Sequence, residues 1–260
     1  RNIFNPSTTL RIDGERSRTI NMTEYKIFEK NRKIRQLIMG IVFLAVLIGG
    51  WKYPLLGYFI PLCMLLGIGI GVFKGRKWCD WFCPRGSFFD AFIKPISQQG
   101  NGLAFKIAKA ISPKKEIPRF FKGLPLRIGM LSFLMLMMTL QIIKRWPNPY
   151  RIGMFFVILL TVTTILGIIL ALVFHQRTWC YFCPIGSMAN WVGRNRYPLK
   201  IDSKLCTECK LCYKVCPIQV SPLRFKKLGI EIVKDGDCLK CGLCVLSCPK
   251  KALILNGGQR

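Results

Sequence analysis

Residues 206–217 read CTECKLCYKVCP and residues 238–249 read CLKCGLCVLSCP, and both follow C-x2-C-x2-C-x3-C-P. Three cysteines in so tight a turn aim thiolates and backbone N–H groups at three corners of one iron–sulfur cubane. The fourth, set off by three residues and followed by proline, points away and ligates the other cluster. The spacing therefore assigns Cys206, Cys209, Cys212 and Cys248 to one [4Fe-4S] cluster, and Cys238, Cys241, Cys244 and Cys216 to a second. Structural zinc sites also use C-x2-C pairs, but two complete copies, each closed by Cys-Pro, suit iron–sulfur clusters far better. Such a unit has no substrate pocket and passes single electrons.

Two further cysteine pairs stand upstream. Residues 78–87 read WCDWFCPRGS and residues 179–187 read WCYFCPIGS, each with a basic residue one or two positions before the first tryptophan. Trp78 matches Trp179, Phe82 matches Phe182, Pro84 matches Pro184 and Gly86 matches Gly186. The first pair is C-x3-C and the second C-x2-C. Four thiolates make a complete ligand set, so Cys79, Cys83, Cys180 and Cys183 are candidates for a third centre, with [4Fe-4S] favoured over [2Fe-2S]. Proline and then glycine after each second cysteine support a tight turn that frees N–H groups for sulfur charge. Arg76, Lys77, Arg85 and Arg177 would offset the negative charge of such a centre. The alternative is four small thiols closing a helix bundle, with Trp78, Trp81 and Trp179 as interfacial anchors. The thirteenth cysteine, Cys63, lies inside an apolar run and reads as a small apolar residue.

Long apolar runs must carry these motifs: Leu37–Trp51, Tyr53–Phe73, Leu124–Ile143 and Ile152–Phe174. Only Lys52 separates the first two. One helix over both would reach about 55 Å, against a hydrocarbon core of about 30 Å. A hairpin turning at Lys52-Tyr53-Pro54 is expected instead, with Pro54 starting the second helix. The KRWPNPYR turn (144–151) closes a second hairpin, and Arg127 near the entry of the third span is placed to snorkel. Each hairpin runs into one Trp-Cys motif in the same direction, which makes a parallel repeat. The chain is half hydrophobic and carries a net charge of +28. A soluble nucleic-acid binder shares that charge but not the apolar runs, so no nucleic-acid partner is expected. A membrane protein facing an anionic leaflet fits both.

Lys and Arg number nine up to Arg35, eleven in 74–123 and fifteen after His175, against one and three in the two short turns. The positive-inside rule then puts both termini and the middle loop in the cytoplasm of a prokaryotic plasma membrane. That side is reducing, which suits thiolate ligation over disulfides. Residues 1–35 are polar and contain no apolar run of the kind a cleavable signal needs. The expected organisation is an N-terminal arm (1–35), a transmembrane hairpin (36–73), a loop bearing Cys79 and Cys83 (74–123), a second hairpin (124–175), the second Cys-Pro motif with a linker (176–198) and a ferredoxin domain (199–260). Within the loop, LAFKIAKAI (103–111) reads as a helix lying on the leaflet or against the protein's own cytoplasmic domain. The fold expected is an all-α membrane four-helix bundle of two parallel hairpin repeats, followed by a small α+β two-cluster ferredoxin domain with strands at Gly229–Val233 and Ala252–Leu255.

His175 is the only histidine, so bis-histidine haem cannot form within the chain. It ends the fourth span beside the second motif, as an interface residue or one that exchanges protons with a quinone head group. The four runs hold no acidic residue, which argues against an ion pathway through them.

With C-x3-C-P-x-G after the second span, a related motif after the fourth and a C-terminal two-cluster unit, residues 35–256 resemble the NapH/MauN-type membrane ferredoxins. The related CcoG and NosR proteins share this polytopic core. Such families commonly have C-x3-C in both membrane motifs, and the second motif here departs from that. The resemblance implies a subunit of a larger redox complex that moves electrons between a quinone pool and partner redox proteins. Metal-ion reduction of the CcoG kind, or a non-catalytic redox sensor or anchor, are the alternatives.

Overall fold

The computed structural model describes residues 22–95 and 117–255. Four of its helices are long and apolar enough to cross a membrane: Tyr25–Lys52, Pro54–Lys74, Leu124–Arg145 and Pro149–Val173. Only 11% to 28% of their most apolar windows is buried inside the protein. Side chains such as Leu65 and Phe73 stand 71% and 77% exposed. So much uncovered apolar surface is tolerable only where the surroundings are lipid. This is a membrane protein.

The first helix, α1 (Met22–Lys52), ends at the expected turn, where the Tyr53 N–H reaches the Gly49 carbonyl at 2.8 Å. Pro54 opens a short 3-10 segment that leads into α2 (Phe59–Lys74). Two short helices follow, α3 (Lys77–Trp81) and α4 (Pro84–Phe88), and then a π turn at Phe89–Ile93. The third and fourth spans are α5 (Leu124–Arg145) and α6 (Pro149–Val173). The Asn148 side chain starts α6 by accepting from the N–H groups of Tyr150 and Arg151, with Pro149 in the first turn. A 3-10 turn (Thr178–Tyr181) and α7 (Pro184–Gly193) complete the membrane part. Packing joins α1 to α4 and α6, α5 to α6, and α2 to α7. At the turn end the hairpins meet backbone to backbone. A Cβ on Gly57 would overlap the Gly153 carbonyl oxygen, and one on Gly153 would overlap that of Pro54.

Two features differ from the sequence-based expectation. Helix α1 begins fifteen residues before its apolar run, because Arg32 and Gln36 find buried carboxylate partners and need no solvent. Arg127 does not snorkel: it is buried and paired with Asp237 at 2.5 Å. The proposed helix at 103–111 lies outside the described residues.

The C-terminal unit carries a three-stranded antiparallel sheet in the order β2-β1-β3, formed by β1 (Leu199–Asp202), β2 (Ile230–Ile232) and β3 (Leu253–Leu255). The register pairs Lys200 with both Ile232 and Ile254. β2 and β3 fall within the expected strands, whereas the central strand was not anticipated. Its alternation buries Leu199 and Ile201, which pack with Val233 and Leu253 against five of the cysteines. Two one-turn helices, α8 (Leu211–Lys214) and α9 (Leu243–Leu246), carry the third cysteine of each run, Cys212 and Cys244.

Candidate metal centres

The eight C-terminal cysteines stand around two neighbouring voids. Cys206, Cys209, Cys212 and Cys248 line one void, and Cys216, Cys238, Cys241 and Cys244 line a second, with Cys212 at its edge. Among the described residues no three His, Cys, Asp or Glu side chains gather as a single ion would need. Thiolates that hold a multi-atom cubane stand around it rather than on one point.

The backbone supports that arrangement. Glu208 (φ 56°) and Lys240 (φ 54°) occupy matching places in the left-handed region, as do Lys210 (59°) and Gly242 (85°), and Gln219 (54°) and Lys251 (50°). Non-glycine residues adopt this region rarely. Here the conformation turns successive N–H groups inward, the kind of nest that holds an anion. Val220 donates its N–H to Cys216 Sγ and Ala252 donates to Cys248 Sγ, both at 3.3 Å. Burial pushes the Cys216 thiol up to about 11, against the pull of the Ile218 and Val220 N–H groups. These residues fit an iron–sulfur cluster in each void.

The other four candidates also converge. Cys79, Cys83, Cys180 and Cys183 line one cavity of about 140 Å³, with Arg76 and Arg85 in its wall. Two reciprocal hydrogen bonds tie the motifs together. Arg76 Nη2 donates to the Cys180 carbonyl at 2.7 Å, and Arg177 Nη1 donates to the Cys79 carbonyl at 2.8 Å. Burial pushes the Cys79 and Cys180 thiols up, while Arg76 and Arg177 respectively pull them down.

The unequal spacing is absorbed locally. In the first motif the Trp78 carbonyl accepts from Phe82 and Cys83 (3.0 and 2.9 Å); in the second the Trp179 carbonyl accepts from Phe182 and Cys183 (3.3 and 3.0 Å). The first motif winds as an α turn and the second as the tighter 3-10 turn, so one fewer residue closes the same bonds. Each Cys-Pro then starts a helix, and the Cys83 sulfur accepts from the Gly86 N–H at 3.4 Å. Burial pushes the Cys83 thiol up, against the pull of the Gly86 N–H.

Gly86 and Gly186 keep the arginines seated. A Cβ on Gly86 would sit 2.9 Å from Arg177 Nη1, and one on Gly186 would sit 2.8 Å from Arg76 Nη2. Alanine at either position is expected to cost about 1–3 kcal/mol and to lower any iron bound by Cys79, Cys83, Cys180 and Cys183, with iron at the C-terminal cysteines unchanged. Iron per chain and thermal unfolding measure this. Gly129→Ala, where a Cβ meets open space, is the matched control.

Beneath the first motif lies a buried charge network that the sequence reading did not find. Arg32 binds Asp80 (2.9 and 2.6 Å) and Asp90 (3.1 Å); Arg177 binds Asp90 (3.0 and 2.6 Å); Gln36 donates to Asp90 (2.9 Å). Burial by itself pushes the Asp90 carboxyl up, but Arg177, Arg32 and Lys94 together outweigh it and hold the group well below the usual carboxylate range. A carboxyl depressed in the folded state stabilises the fold above its unfolded pKa, and that stability is lost as pH falls toward the folded value. The unfolding temperature in detergent should therefore be flat from neutrality to about pH 5 and fall below about pH 4. Asp90→Asn should lower it at neutral pH and flatten the acid limb.

A second network joins the two parts of the protein. Asp237, next to Cys238, accepts from Arg76 (2.8 Å), Arg127 (2.5 Å) and Asn190 (3.1 Å). Tyr181 Oη donates to the Ile218 carbonyl, two residues past Cys216, at 2.5 Å. Cys79, Tyr181, Phe182, Ile218 and Leu239 share one apolar core that Cys180, Cys183, Cys216 and Cys241 flank. The set containing Cys216 and Cys238 thus abuts the membrane-edge cysteines, while the other set lies outward, where Cys209 is exposed.

Some expected residues have other places. Lys77 stacks over Tyr197 at 5.2 Å, Trp81 packs under Phe28 and Arg35, and Trp179 is buried beneath the Arg85 guanidinium. His175 is buried, its Nδ1 accepts from the Arg177 N–H at 3.3 Å, and it does not line the cavity. Cys63 does line it, together with Met64, Met135 and Met138.

Comparison with known proteins follows the same division. A 4Fe-4S binding domain family matches at residues 56–99 and again at 151–204, and a 4Fe-4S dicluster domain family matches at 205–253. The chain is 23% identical over 229 residues to an uncharacterized protein of Methanocaldococcus jannaschii, covering 86% of this chain and 82% of that one. It is 28% identical over 196 residues to the ferredoxin-type protein NapH of Haemophilus influenzae, covering 69% of this chain and 62% of NapH. A second uncharacterized M. jannaschii protein is 26% identical over 192 residues, covering 70% and 72%. No solved structure matches.

Proposed function

From the premise that this chain is a homologue of the NapH-type membrane ferredoxins, we propose that it relays single electrons between a quinone in the bilayer and a partner redox protein. It is an iron–sulfur electron-transfer protein; the relay would use three cysteine sets within a larger membrane complex. Bound iron–sulfur clusters supply one-electron oxidation and reduction. Cys206, Cys209, Cys212 and Cys248 hold the outer cluster, Cys216, Cys238, Cys241 and Cys244 the inner one, and Cys79, Cys83, Cys180 and Cys183 a third, [4Fe-4S], at the membrane edge. The reciprocal Arg76 and Arg177 bonds and the double family match support two parallel hairpin repeats meeting at that edge. The excess of Lys and Arg on the motif side supports a cytoplasmic ferredoxin domain.

The observation that carries this reading is the cavity. It starts at the four cysteines and continues between the spans to Met138, Leu159 and Thr163. Arg85 reaches into it from the motif side, bonds the Thr163 carbonyl and Oγ1, and lies 4.3 Å from the Trp179 ring. An apolar slot with two guanidiniums beside a redox centre suits a quinone head group; Arg76 is engaged by Asp237 and the Cys180 carbonyl, and Arg85 would orient the quinone oxygens. His175 serves the fold of the second motif in this reading, with its Nδ1 engaged by the Arg177 N–H.

The test is quinol-dependent reduction of the clusters in proteoliposomes. Arg85→Leu should slow it about tenfold or more with iron and sulfide content unchanged. Absence of any quinol-dependent change in the unaltered protein would sink the quinone link. A second reading, reduction of a metal ion, draws on the soft lining of Cys63, Met64, Met135 and Met138, which suits copper(I). Copper-dependent oxidation of the reduced clusters, lost in Met135→Leu, would favour it.

A further inference from the structure

The outermost cysteine set has a face that the relay reading does not explain. Residues 199–255 hold eleven Lys and Arg against five Asp and Glu. Of those five, Asp237 is buried against Arg76 and Arg127, and Glu208 is paired with Lys226 at 2.7 Å. Two of the cations stand at the void of Cys209, the exposed member of its set. Lys210, Lys250 and Leu205 line the void with Cys206, Cys209, Cys212 and Cys248. The loops at 203–206 and 226–229 lie side by side: Ser203 N–H bonds the Gly229 carbonyl at 2.9 Å, and Lys226 Nζ bonds the Cys206 carbonyl at 3.2 Å. These adjoining loops carry Leu228, 96% exposed, and Leu205, 49% exposed, each next in sequence to an exposed lysine, Lys227 and Lys204. An apolar centre inside a charged rim is the anatomy of a transient protein interface.

We propose that the Lys204, Lys210, Lys227 and Lys250 rim around Leu205 and Leu228 docks an acidic soluble one-electron carrier, a protein of ferredoxin or flavodoxin type. The inference rests on the relay reading and names its protein partner. One electron passes between the carrier and the site of Cys206, Cys209, Cys212 and Cys248; one side is oxidised and the other reduced, with no bond or proton moved. The rim steers an acidic partner to the one exposed ligand cysteine of that site.

The test uses the full chain, loaded with iron and sulfide, in phosphatidylcholine nanodiscs. An acidic two-cluster bacterial ferredoxin is the probe, titrated calorimetrically. Affinity should fall about tenfold between low and moderate salt, and Lys204→Glu with Lys227→Glu, both outside the cysteine runs, should cost about tenfold. Adding Lys210→Glu and Lys250→Glu should abolish binding. Lys144→Glu with Arg151→Glu, exposed at the opposite end of the spans, should leave affinity within about twofold. Equal losses from both pairs, no loss from the rim variants, or a loss traced to self-association of the chain would each overturn the docking face. Dithionite bleaching and sulfide content in the same samples keep the two readings apart. A chain that bleaches but does not bind the probe refutes the docking face alone, and a chain without sulfide refutes the relay beneath it.

Discussion

Replacing Cys83 and Cys183 together by serine is expected to remove about a third of the iron and acid-labile sulfide while the two ferredoxin sets stay loaded. The chosen cysteines each open a helix with Pro84 or Pro184 and line the shared cavity from opposite motifs, so one substitution in each removes half of the ligand set. The ferredoxin sets keep their own sheet and left-handed loops, which none of these residues enters. Low-temperature EPR of the reduced protein should lose one component and keep two. Survival of all components would mean that the four thiols only close the membrane part, as buried small residues do. The serine pair changes little volume, so the unfolding temperature of the metal-free protein should move only slightly.

Asp237→Ala is expected to uncouple the ferredoxin unit from the membrane-edge site. Its carboxylate faces two guanidiniums and the Asn190 amide, all buried. Removing one member of a buried ion group strands the rest and costs about 3–5 kcal/mol. Arg76 would also lose the anchor that holds it against the Cys180 carbonyl, so the disturbance reaches both sites. Cleavage by a protease in the 194–198 linker should accelerate, and electron equilibration between the membrane-edge and ferredoxin signals should slow. Because Asp237 adjoins Cys238, Arg127→Met supplies a variant that breaks the same network from α5 without touching a ligand loop. Unchanged proteolysis and equilibration in both variants would rule out the coupling.

Much of this architecture was readable because its signals are local. The C-x2-C-x2-C-x3-C-P runs, the apolar stretches and the Lys52–Pro54 turn each depend on neighbours in sequence. The charge networks were not readable, since Asp237 gathers partners from residues 47 to 161 positions away. Twelve acidic residues among forty cations were themselves a signal, because a scarce carboxylate beside a cysteine is worth asking about. The C-x2-C departure is absorbed locally: the second motif winds as a 3-10 turn where the first winds as an α turn, and each closes on its own tryptophan carbonyl. Strand β1 was not legible because LKID has only two apolar residues, and pairing on both sides makes it the centre of the sheet.

The hairpins are fastened at two levels. Near the motifs they exchange arginine-to-carbonyl bonds, and at the far turns Gly57 and Gly153 press backbone on backbone. Mechanically this is a frame with two rungs, and the gap between them is set by covalent chain and buried bonds. In the quinone reading proposed above, those two rungs fix the width of the cavity between the spans. Widening either rung, by Gly153→Ala at one end or Gly86→Ala at the other, should therefore change which quinols reduce the clusters before it changes how fast electrons move between them.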